Sequence, residues 1–197
     1  MIAKEGFPLI LPSFVLVVIL VLLGITVPLF LALLVFLFIL CFFRDPKRRA
    51  PDIVNAFIAP GDGKVMEANK KRISIFLSIY DVHVNRIPYG GTIKSIEFRR
   101  GEYSKAFASK AEKKNEAILT KVESDVGIYT ISQMAGIIAR RIVNNLEIGS
   151  RVLTGERMGM IRFGSRVSTT LPRGFHPIVK IGDSVKAGET VIARKIT

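Results

Sequence analysis

The stretch Ile161-Arg162-Phe163-Gly164-Ser165-Arg166-Val167-Ser168-Thr169 decides how the C-terminal part of the chain folds. Strand-like runs containing apolar residues lie on both sides of one Gly-Ser pair. Such runs are typical of β-strands, and a glycine between them marks a turn or the close approach of another group. The stretch therefore predicts two β-strands that meet at Gly164-Ser165.

The Gly-Ser pair also places a nucleophilic hydroxyl beside the least hindered carbonyl that a chain can offer. Addition of the Ser165 Oγ to the Gly164 carbonyl would give an ester. Elimination and hydrolysis would then cut the chain and leave a pyruvoyl group at position 165. Gly-Ser pairs are also common in ordinary turns, and for the pair taken alone a turn is the better interpretation.

Charged and apolar residues are distributed unevenly along the 197 residues. No charged residue occurs from Phe7 to Phe43, although the chain has 29 basic and 16 acidic residues and a net charge of +13. This distribution predicts a membrane anchor over residues 1–43 and one basic globular domain over residues 44–197. The only cysteine, Cys41, has no partner for a disulfide, which favours a reducing compartment.

The apolar run is interrupted at Gly24–Pro28 and predicts a transmembrane hairpin of two helices, about residues 8–23 and 27–43. Pro28 suits the first turn of the second helix, and Thr26 can act as its N-cap. At about 1.5 Å per residue each helix covers roughly 25 Å, slightly less than a hydrocarbon core of ~30 Å. A secretory signal peptide is the alternative, but bulky residues follow the run where small cleavage-site residues are expected.

A cluster of basic residues follows the second helix, namely Arg44, Lys47, Arg48 and Arg49. Such residues remain on the cytoplasmic side, which places the globular domain at the cytoplasmic face of the cell membrane. They also attract anionic lipid headgroups, at about 1 kcal/mol each. A solvated surface and nucleic-acid binding are the alternative uses of the charge. Nucleic acid is not expected as a partner, because the sequence has neither an aromatic-basic stripe nor a recognition helix.

The globular part, from about Pro51, predicts a mainly β fold of short strands separated by glycines. The predicted strands cover residues 64–68, 72–77, 91–98, 117–123, 127–132, 137–143, 157–163 and 190–193. Residues 137–146 are also compatible with a short amphipathic helix. Residues 105–115 are the best candidate for a soluble helix.

An internal repeat indicates the architecture of these strands. The segment Ile148–Glu156 recurs as Ile181–Glu189, each copy with two glycine turns around a central valine. The copies resemble the hairpins of biotinyl and lipoyl carrier domains, which are barrel sandwiches of two similar halves. The carriers' modified lysine in a Met-Lys-Met turn is absent here, so the repeat predicts a barrel-sandwich-like fold without an attachment site.

Two polar residues are candidates for chemistry. Asp62 lies between two glycines in a tight turn, and His83 follows an apolar strand and lies beside Asp81 and Arg86. A plain turn aspartate and a structural histidine are the alternatives. The other histidine, His176, is predicted to lie in a loop without a role. Two histidines and one cysteine are too few for a usual zinc site, so no metal is expected.

Several motifs together carry a family resemblance. They are Arg44-Asp45-Pro46, Pro60-Gly61-Asp62-Gly63, Asp81-Val82-His83-Val84-Asn85-Arg86-Ile87-Pro88, Asn115-Glu116, Ala139-Arg140-Arg141-Ile142, Phe163-Gly164-Ser165 and residues 179–188. In this order they resemble the phosphatidylserine decarboxylase family, most closely its short form in some bacteria and in archaea, where the substrate can be archaetidylserine.

The resemblance implies a proenzyme that cuts itself between Gly164 and Ser165 into a large chain (1–164) and a small chain (165–197). Ser165 would become the covalent pyruvoyl cofactor, which condenses with the substrate amine and accepts the charge left by CO₂. His83 would take the Ser165 proton, supported by Asp62, and would later protonate the product carbon. Longer family members have a second histidine where this chain has Arg86, so His83 is expected to do both.

The resemblance also implies weaker expectations. Arg86, Arg140 and Arg141 are candidates to bind the phosphate or carboxylate of the substrate, since guanidinium groups match planar oxyanions. Asn115-Glu116 is followed by Ala117 where arginine is frequent in the family, and it is left out of the catalytic set. The expected partners are membrane phospholipid and a second copy of the chain. The alternative function is a non-enzymatic, membrane-tethered adaptor or degenerate carrier.

Overall fold

The structure is a computed structural model, and it describes residues 1–101, 115–136, 142–162 and 165–196. The chain forms two compact units, Met1–Lys47 and Arg48–Thr197.

The first unit consists of apolar helices. A 3₁₀ turn, Lys4–Gly6, leads into α1, Phe7–Leu22, and α2 covers Thr26–Phe42. Phe14 and Phe36 pack across the two helices with ring centroids 5.8 Å apart. By length and composition the helix Lys4–Leu22 could cross a membrane, and Thr26–Phe42 is a shorter apolar helix.

The start of α2 differs from the prediction in one detail. Ile25 occupies the N-cap position, and no described side chain caps the helix. The turn between the helices is short: Gly24 has a φ of +67°, and α2 begins two residues later, so Thr26 is already the first helical residue. The prediction that Thr26 caps the helix is therefore wrong, whereas Pro28 does lie in the first turn.

The second unit consists of short strands. They are β1 Ala56–Ile58, β2 Gly63–Ala68, β3 Arg72–Leu77, β4 Val84–Arg86, β5 Gly91–Arg99, β6 Ala117–Ser124, β7 Gly127–Ala135, β8 Ile142–Asn144, β9 Arg151–Val152, β10 Arg157–Ile161, β11 Ser165–Thr170, β12 Phe175–Pro177, β13 Ser184–Val185 and β14 Val191–Lys195. The predicted mainly β fold is confirmed. Residues 137–141 and 105–114, where a strand or helix is predicted, lie outside the described residues.

Three antiparallel sheets contain these strands. The large sheet has the order β13-β2-β3-β11-β7-β6-β5-β9, and two smaller sheets have the orders β1-β14-β12 and β4-β10-β8. His176 lies in β12 opposite Arg194, which corrects its predicted place in a loop. Strand β11, which begins at Ser165, lies in the middle of the large sheet, so its backbone pairs on both sides.

The two copies of the internal repeat have the same backbone conformation. The first glycines, Gly149 and Gly182, have φ of +86° and +95°, and the second glycines, Gly155 and Gly188, have +81° and +76°. The central valines are buried in β9 and β13, which are the two edge strands of the large sheet. A side chain is strained at such φ values, so the glycines are required in both copies. Closure into a barrel sandwich stays a prediction.

The core lies on one face of the large sheet. Cross-strand neighbours share a face, so Val167 of β11 meets Ile75 of β3 and Gln133 of β7 on this inner face. Phe57 packs in the core and makes edge-to-face contacts with Tyr129 and Phe175, with the ring centroids 5.0 Å apart in each pair. Burial of each such aromatic side chain contributes about 1.5–3 kcal/mol. The packed core holds β3, β11 and β7 in fixed register, and Ser165 with them.

Candidate active site

Ser165 begins β11 on the inner face of the large sheet. It lies opposite Leu77 of β3 and Ala135 of β7, and its exposed fraction is 0%. Within the part of the chain that the structure describes, its buried Oγ has no hydrogen-bond partner. Leaving a buried hydroxyl unsatisfied costs about 1–3 kcal/mol, so such a group asks for a functional explanation.

Backbone pairing brings His83 to the same corner. Val84 of β4 lies opposite Met160 of β10, and the Ile161 N–H donates to the His83 carbonyl over 3.3 Å. Ile161 is the last residue of β10, the strand that leads towards Ser165, and it packs against Ala135, the cross-strand neighbour of Ser165. The backbone of His83 is therefore bonded to the end of β10, the strand that comes directly before the predicted cleavage site.

The environment of His83 determines which ring nitrogen is basic. The ring is buried, and Nδ1 lies 2.9 Å from the backbone carbonyl oxygen of Asp81. A carbonyl can only accept, so Nδ1 carries the hydrogen of neutral imidazole and Nε2 is the basic nitrogen. The Asp81 carbonyl is itself fixed, because the Asp81 carboxylate accepts hydrogen bonds from the Ser78 N–H at 2.8 Å and the Ser78 Oγ at 2.7 Å.

Asp62 is held in a tight turn by two strong contacts. Its Oδ2 lies 2.8 Å from Nη2 of Arg48, and its Oδ1 accepts a hydrogen bond from the Ala187 N–H at 2.8 Å. Arg48 also pairs with Glu189 at 3.0 Å. The sequence places Arg48 among the lipid-facing basic residues, but its side chain is only 9% exposed and is engaged by carboxylates. That part of the interpretation of the basic cluster is corrected.

The Asp62 turn packs onto β11, which begins at Ser165, and onto its neighbour β3. A Cβ added to Gly61 would lie 2.8 Å from Val167 Cγ1 and 3.3 Å from Leu77 Cδ1. A Cβ on Gly63, where φ is +139°, would lie 2.0 Å from the Phe76 carbonyl oxygen. Only glycines allow the turn to approach β3 and β11 this closely.

A cavity adjoins this turn. Its volume is about 500 Å³, and it is lined among others by Asp62, Phe76, Ser78 and Asp81. A larger cavity of about 1060 Å³ is lined by residues such as Tyr89, Glu123 and Arg151, and none of its described lining residues belongs to the predicted site. The lining of the smaller cavity joins the Asp62 turn to the Asp81 turn that orients His83, but neither His83 nor Ser165 is among its described lining residues.

Of the remaining predicted site residues, the structure describes Arg86 but not Arg140, Arg141 or Gly164. Arg86 lies in β4, and its Nη1 donates to the Gly155 carbonyl at 3.2 Å, so it supports the first copy of the repeat. Asn115, which is left out of the predicted set, is buried, and its Nδ2 donates to the Ala135 carbonyl at 2.8 Å. It therefore fixes the residue opposite Ser165.

Sequence reasoning missed a chain of polar side chains on the inner face, in which Asn85, Gln133 and Thr120 are buried and Asn144 is half-buried. The Gln133 Nε2 donates to Asn85 Oδ1 at 2.9 Å, and the Asn144 Nδ2 donates to Gln133 Oε1 at 3.2 Å and to Thr120 Oγ1 at 3.0 Å. The available signal was Gln133, a polar residue at a core-facing position of a strand whose alternate residues are apolar.

The site fits a pyruvoyl group made from Ser165. Such a group would form in place from the side chain and backbone of this residue, and the structure puts that residue at a strand start, buried, with a hydroxyl that has no partner among the described residues. A packed β-strand on each side would hold the new chain end after a cut. In the described part of the chain, no cluster of three or more His, Cys, Asp or Glu residues could hold a metal ion.

Comparison with known proteins supplies the family. The family model described as phosphatidylserine decarboxylase matches residues 35–193. A protein of Methanococcoides burtonii named "Putative archaetidylserine decarboxylase proenzyme" is 42% identical over 166 residues, covering 84% of this chain and 79% of the relative. A protein of Archaeoglobus fulgidus with the same name is 41% identical, covering 98% of this chain and 96% of the relative.

A bacterial relative has a similar name. The phosphatidylserine decarboxylase proenzyme of Nitratidesulfovibrio vulgaris is 42% identical over 165 residues, covering 78% of this chain and 76% of the relative. The family match spans the Asp62 turn, His83 and Ser165. The chain belongs to the phosphatidylserine decarboxylase family.

Proposed function

We propose that the protein is a pyruvoyl-dependent decarboxylase that converts a serine-headgroup phospholipid, phosphatidylserine or archaetidylserine, to the ethanolamine lipid and CO₂. It is made as a precursor and cuts itself between Gly164 and Ser165, giving chains of residues 1–164 and 165–197. The observation that carries the proposal is the Ser165 hydroxyl, which is buried at the start of β11 without a hydrogen-bond partner among the described residues. Family membership supports the same reaction.

The first step is an acyl shift within the chain. The His83 Nε2 accepts the Ser165 Oγ proton, and Oγ bonds to the carbonyl carbon of the preceding residue. The bond from that carbon to the Ser165 nitrogen breaks, and the proton passes to the released amine. The product is an ester, and no atoms are gained or lost. The contact of Nδ1 with the Asp81 carbonyl supports this assignment, because it leaves Nε2 as the base.

The second step is elimination. Residue 165 loses its Cα proton, and the carboxylate of the large chain leaves. The resulting enamine shifts to an imine, and one water molecule hydrolyses the imine to the pyruvoyl group and ammonia. Burial of Ser165 in a packed sheet excludes further water from the ester, which favours elimination over simple hydrolysis.

Asp62 acts as a fixed negative charge for the imidazolium that forms at His83. Its two oxygens are held by Arg48 and by the Ala187 N–H, so the carboxylate cannot rotate away. Ring orientation comes from the Asp81 carbonyl, while Asp62 supplies charge. In this proposal the two aspartates divide the work that one aspartate does in a serine-protease triad.

In the cut enzyme, the pyruvoyl group supplies an electrophilic carbonyl for the substrate amine and a sink for the electrons left by CO₂. His83 returns a proton to the substrate carbon, and its backbone contact with Ile161, at the end of the strand that leads to Ser165, supports this role. Arg86, Arg140 and Arg141 bind the phosphate or carboxylate of the substrate. For Arg86 this role requires that its bond to the Gly155 carbonyl be shared or exchanged.

The apolar helices anchor the enzyme in its substrate's membrane, with the second unit on the cytoplasmic side. An anchored enzyme can take the headgroup without removing the acyl chains from the bilayer, a transfer that costs ~0.8 kcal/mol per CH₂. The apolar surfaces of α1 and α2, which are exposed in the single chain, support this role. Homodimer formation is part of the proposal, because exposed helices and sheet edges favour self-association.

The decisive experiment is intact mass spectrometry of the purified protein with a denaturing gel. We expect a fragment of residues 165–197 whose N-terminus is blocked to Edman chemistry and reacts with a carbonyl reagent. Vesicles containing phosphatidylserine or archaetidylserine should release CO₂ when the protein is added. The adaptor alternative predicts one intact 21.8 kDa chain and no CO₂ release, and that result would overturn the proposal.

A further inference from the structure

The orientation of the Asn85 side-chain amide follows from a chain of hydrogen bonds that begins at the backbone. The Leu146 N–H can only donate, and it lies 2.9 Å from Asn144 Oδ1. The Asn144 Nδ2 must then donate to Gln133 Oε1, and the Gln133 Nε2 must donate to Asn85 Oδ1. Asn85 therefore presents its two Nδ2 hydrogens away from Gln133.

These hydrogens have no acceptor. Asn85 has an exposed fraction of 0%, and its Nδ2 is buried without a hydrogen-bond partner among the residues that the structure describes. Three side chains, on β7, β8 and β6, form the hydrogen-bonded chain that fixes this amide, and its donor end remains unused. A rigid donor that is buried and unsatisfied carries a free-energy cost of about 1–3 kcal/mol.

The donor end lies close to side chains that neighbour Ser165 in the large sheet. A Cβ added to Gly61 would lie 3.4 Å from Asn85 Nδ2, 3.3 Å from Leu77 Cδ1 and 2.8 Å from Val167 Cγ1. Leu77 is the cross-strand neighbour of Ser165, and Val167 lies two positions after Ser165 on the same face. Asn85 also lies two positions after His83, whose carbonyl accepts a hydrogen bond from the Ile161 N–H.

We propose that the Asn85 amide is the hydrogen-bond donor for the oxyanion that forms when the Ser165 Oγ adds to the preceding carbonyl carbon. This inference rests on the proposed self-cleavage. During addition the carbonyl π electrons move onto oxygen, and Nδ2–H groups held in advance stabilise that charge without reorganisation. The electrons return when the bond to the Ser165 nitrogen breaks. A neutral amide suits this use, since an unpaired cation buried there before the reaction would be far more costly.

The test is the rate of self-cleavage of the full chain, made by cell-free synthesis with detergent and sampled on gels over time. Removal of one donor from an oxyanion site slows such reactions about 10²–10³-fold, and we expect this for Asn85→Ala. Asn85→Asp keeps the shape and the acceptor towards Gln133 but lacks the donors, and it should be slowed as well. Hydroxylamine cleaves esters, and it should not accelerate either variant, because the ester itself forms slowly.

The matched control is Thr169→Val. Thr169 lies on the same face of β11, and its buried Oγ1 also has no hydrogen-bond partner in the described part of the chain. This near-isosteric change should leave the cleavage rate within about twofold of the wild type, because a distant hydroxyl does not reach the reacting carbonyl.

A second variant tests the orientation while Asn85 is kept. Gln133→Glu replaces the donor at Nε2 by an acceptor, so the Asn85 amide should turn its Nδ2 towards the new carboxylate and its oxygen to the side where the Nδ2 hydrogens now lie. Cleavage should again be slowed at least about tenfold, although the substituted side chain has nearly the same size and shape as glutamine. Wild-type cleavage rates in Asn85→Ala or Asn85→Asp overturn the inference, as does cleavage of either that hydroxylamine restores. A wild-type chain that never cuts would instead refute the proposed function.

Discussion

The hydroxyl groups on the two faces of β11 differ in their hydrogen bonding. On the outer face, Ser168 Oγ lies 2.9 Å from Ser74 Oγ, and Arg166 pairs with Glu67 at 3.2 Å. On the inner face, the hydroxyls of Ser165 and Thr169 have no hydrogen-bond partner among the described residues. Both faces are buried here, so exposure does not explain the difference. Partnered groups hold the strand in place, and the unpartnered hydroxyl of Ser165 is the one that the proposed reaction uses.

The sharpest way to break this comparison is a pair of serine variants, one on each face. Ser165→Ala should abolish self-cleavage, because the nucleophile is gone, whereas Ser168→Ala should cleave at the wild-type rate and lose about 1 kcal/mol of stability with its hydrogen bond. Intact mass and urea unfolding measure the two effects. A cut Ser165→Ala chain would contradict the assignment of the inner face.

The next largest effect is expected at His83. His83→Gln keeps a polar side chain of similar size but has no base, so self-cleavage should slow about 10²–10⁴-fold. The precursor fraction on a gel over time is the measurement. His176→Gln, in the small sheet with β14, is the control and should cleave normally. Equal rates in both variants would remove His83 from the cleavage step.

A smaller effect is expected from Arg48, which connects the Asp62 turn to the second copy of the repeat through Glu189. Arg48→Met keeps much of the stem but releases the Asp62 carboxylate, and we expect cleavage about tenfold slower, equivalent to about 1.4 kcal/mol. Arg49→Met is the matched control, because Arg49 is exposed. If self-cleavage slows by the same factor in both variants, Arg48 contributes only as a surface charge.

The smallest effect on cleavage is expected from the outer-face cluster, where Glu67 contacts Arg72 at 2.6 Å. Burial raises the pKa of the Glu67 carboxyl, but the hydrogen bond and charge of Arg72, with smaller contributions from Asn69 and Arg166, leave that pKa below its ordinary value. Glu67→Gln should therefore lose about 1–2 kcal/mol of unfolding free energy at pH 7, with cleavage unchanged.

The pH dependence gives this prediction its sign. A lowered folded-state pKa contributes stability above the unfolded pKa of about 4.3, and the contribution disappears as the pH falls through the folded-state value. The difference between Glu67→Gln and its parent should thus shrink below about pH 4. Both chains are compared in the Ser165→Ala background in detergent, so that a single uncut chain unfolds. A difference that stays constant from pH 7 to pH 3 would show that charge is not the cause.

Much of the fold could be predicted because it is encoded locally. Strands β3 and β6 are predicted almost to their ends, since alternation of apolar residues needs no distant partner. Short strands such as β4 and β13 were not predicted, because two or three residues carry too little periodic signal. Among site residues, Ser165, His83 and Asp62 stand out by their motifs, whereas Arg48 was assigned to lipid because its carboxylate partners are distant in sequence.

By itself, the sequence determined the apolar helices, the mainly β domain, the repeat with its required glycines and the family. Each of these follows from neighbouring residues or from an ordered set of short motifs. Only the tertiary structure decided that Ser165 is buried without a hydrogen-bond partner in the described chain, that Arg48 holds Asp62, and that Asn85 presents an unused donor. The physical reason is that hydrogen-bond satisfaction depends on all groups that meet in space, and at this site they come from strands far apart in the chain.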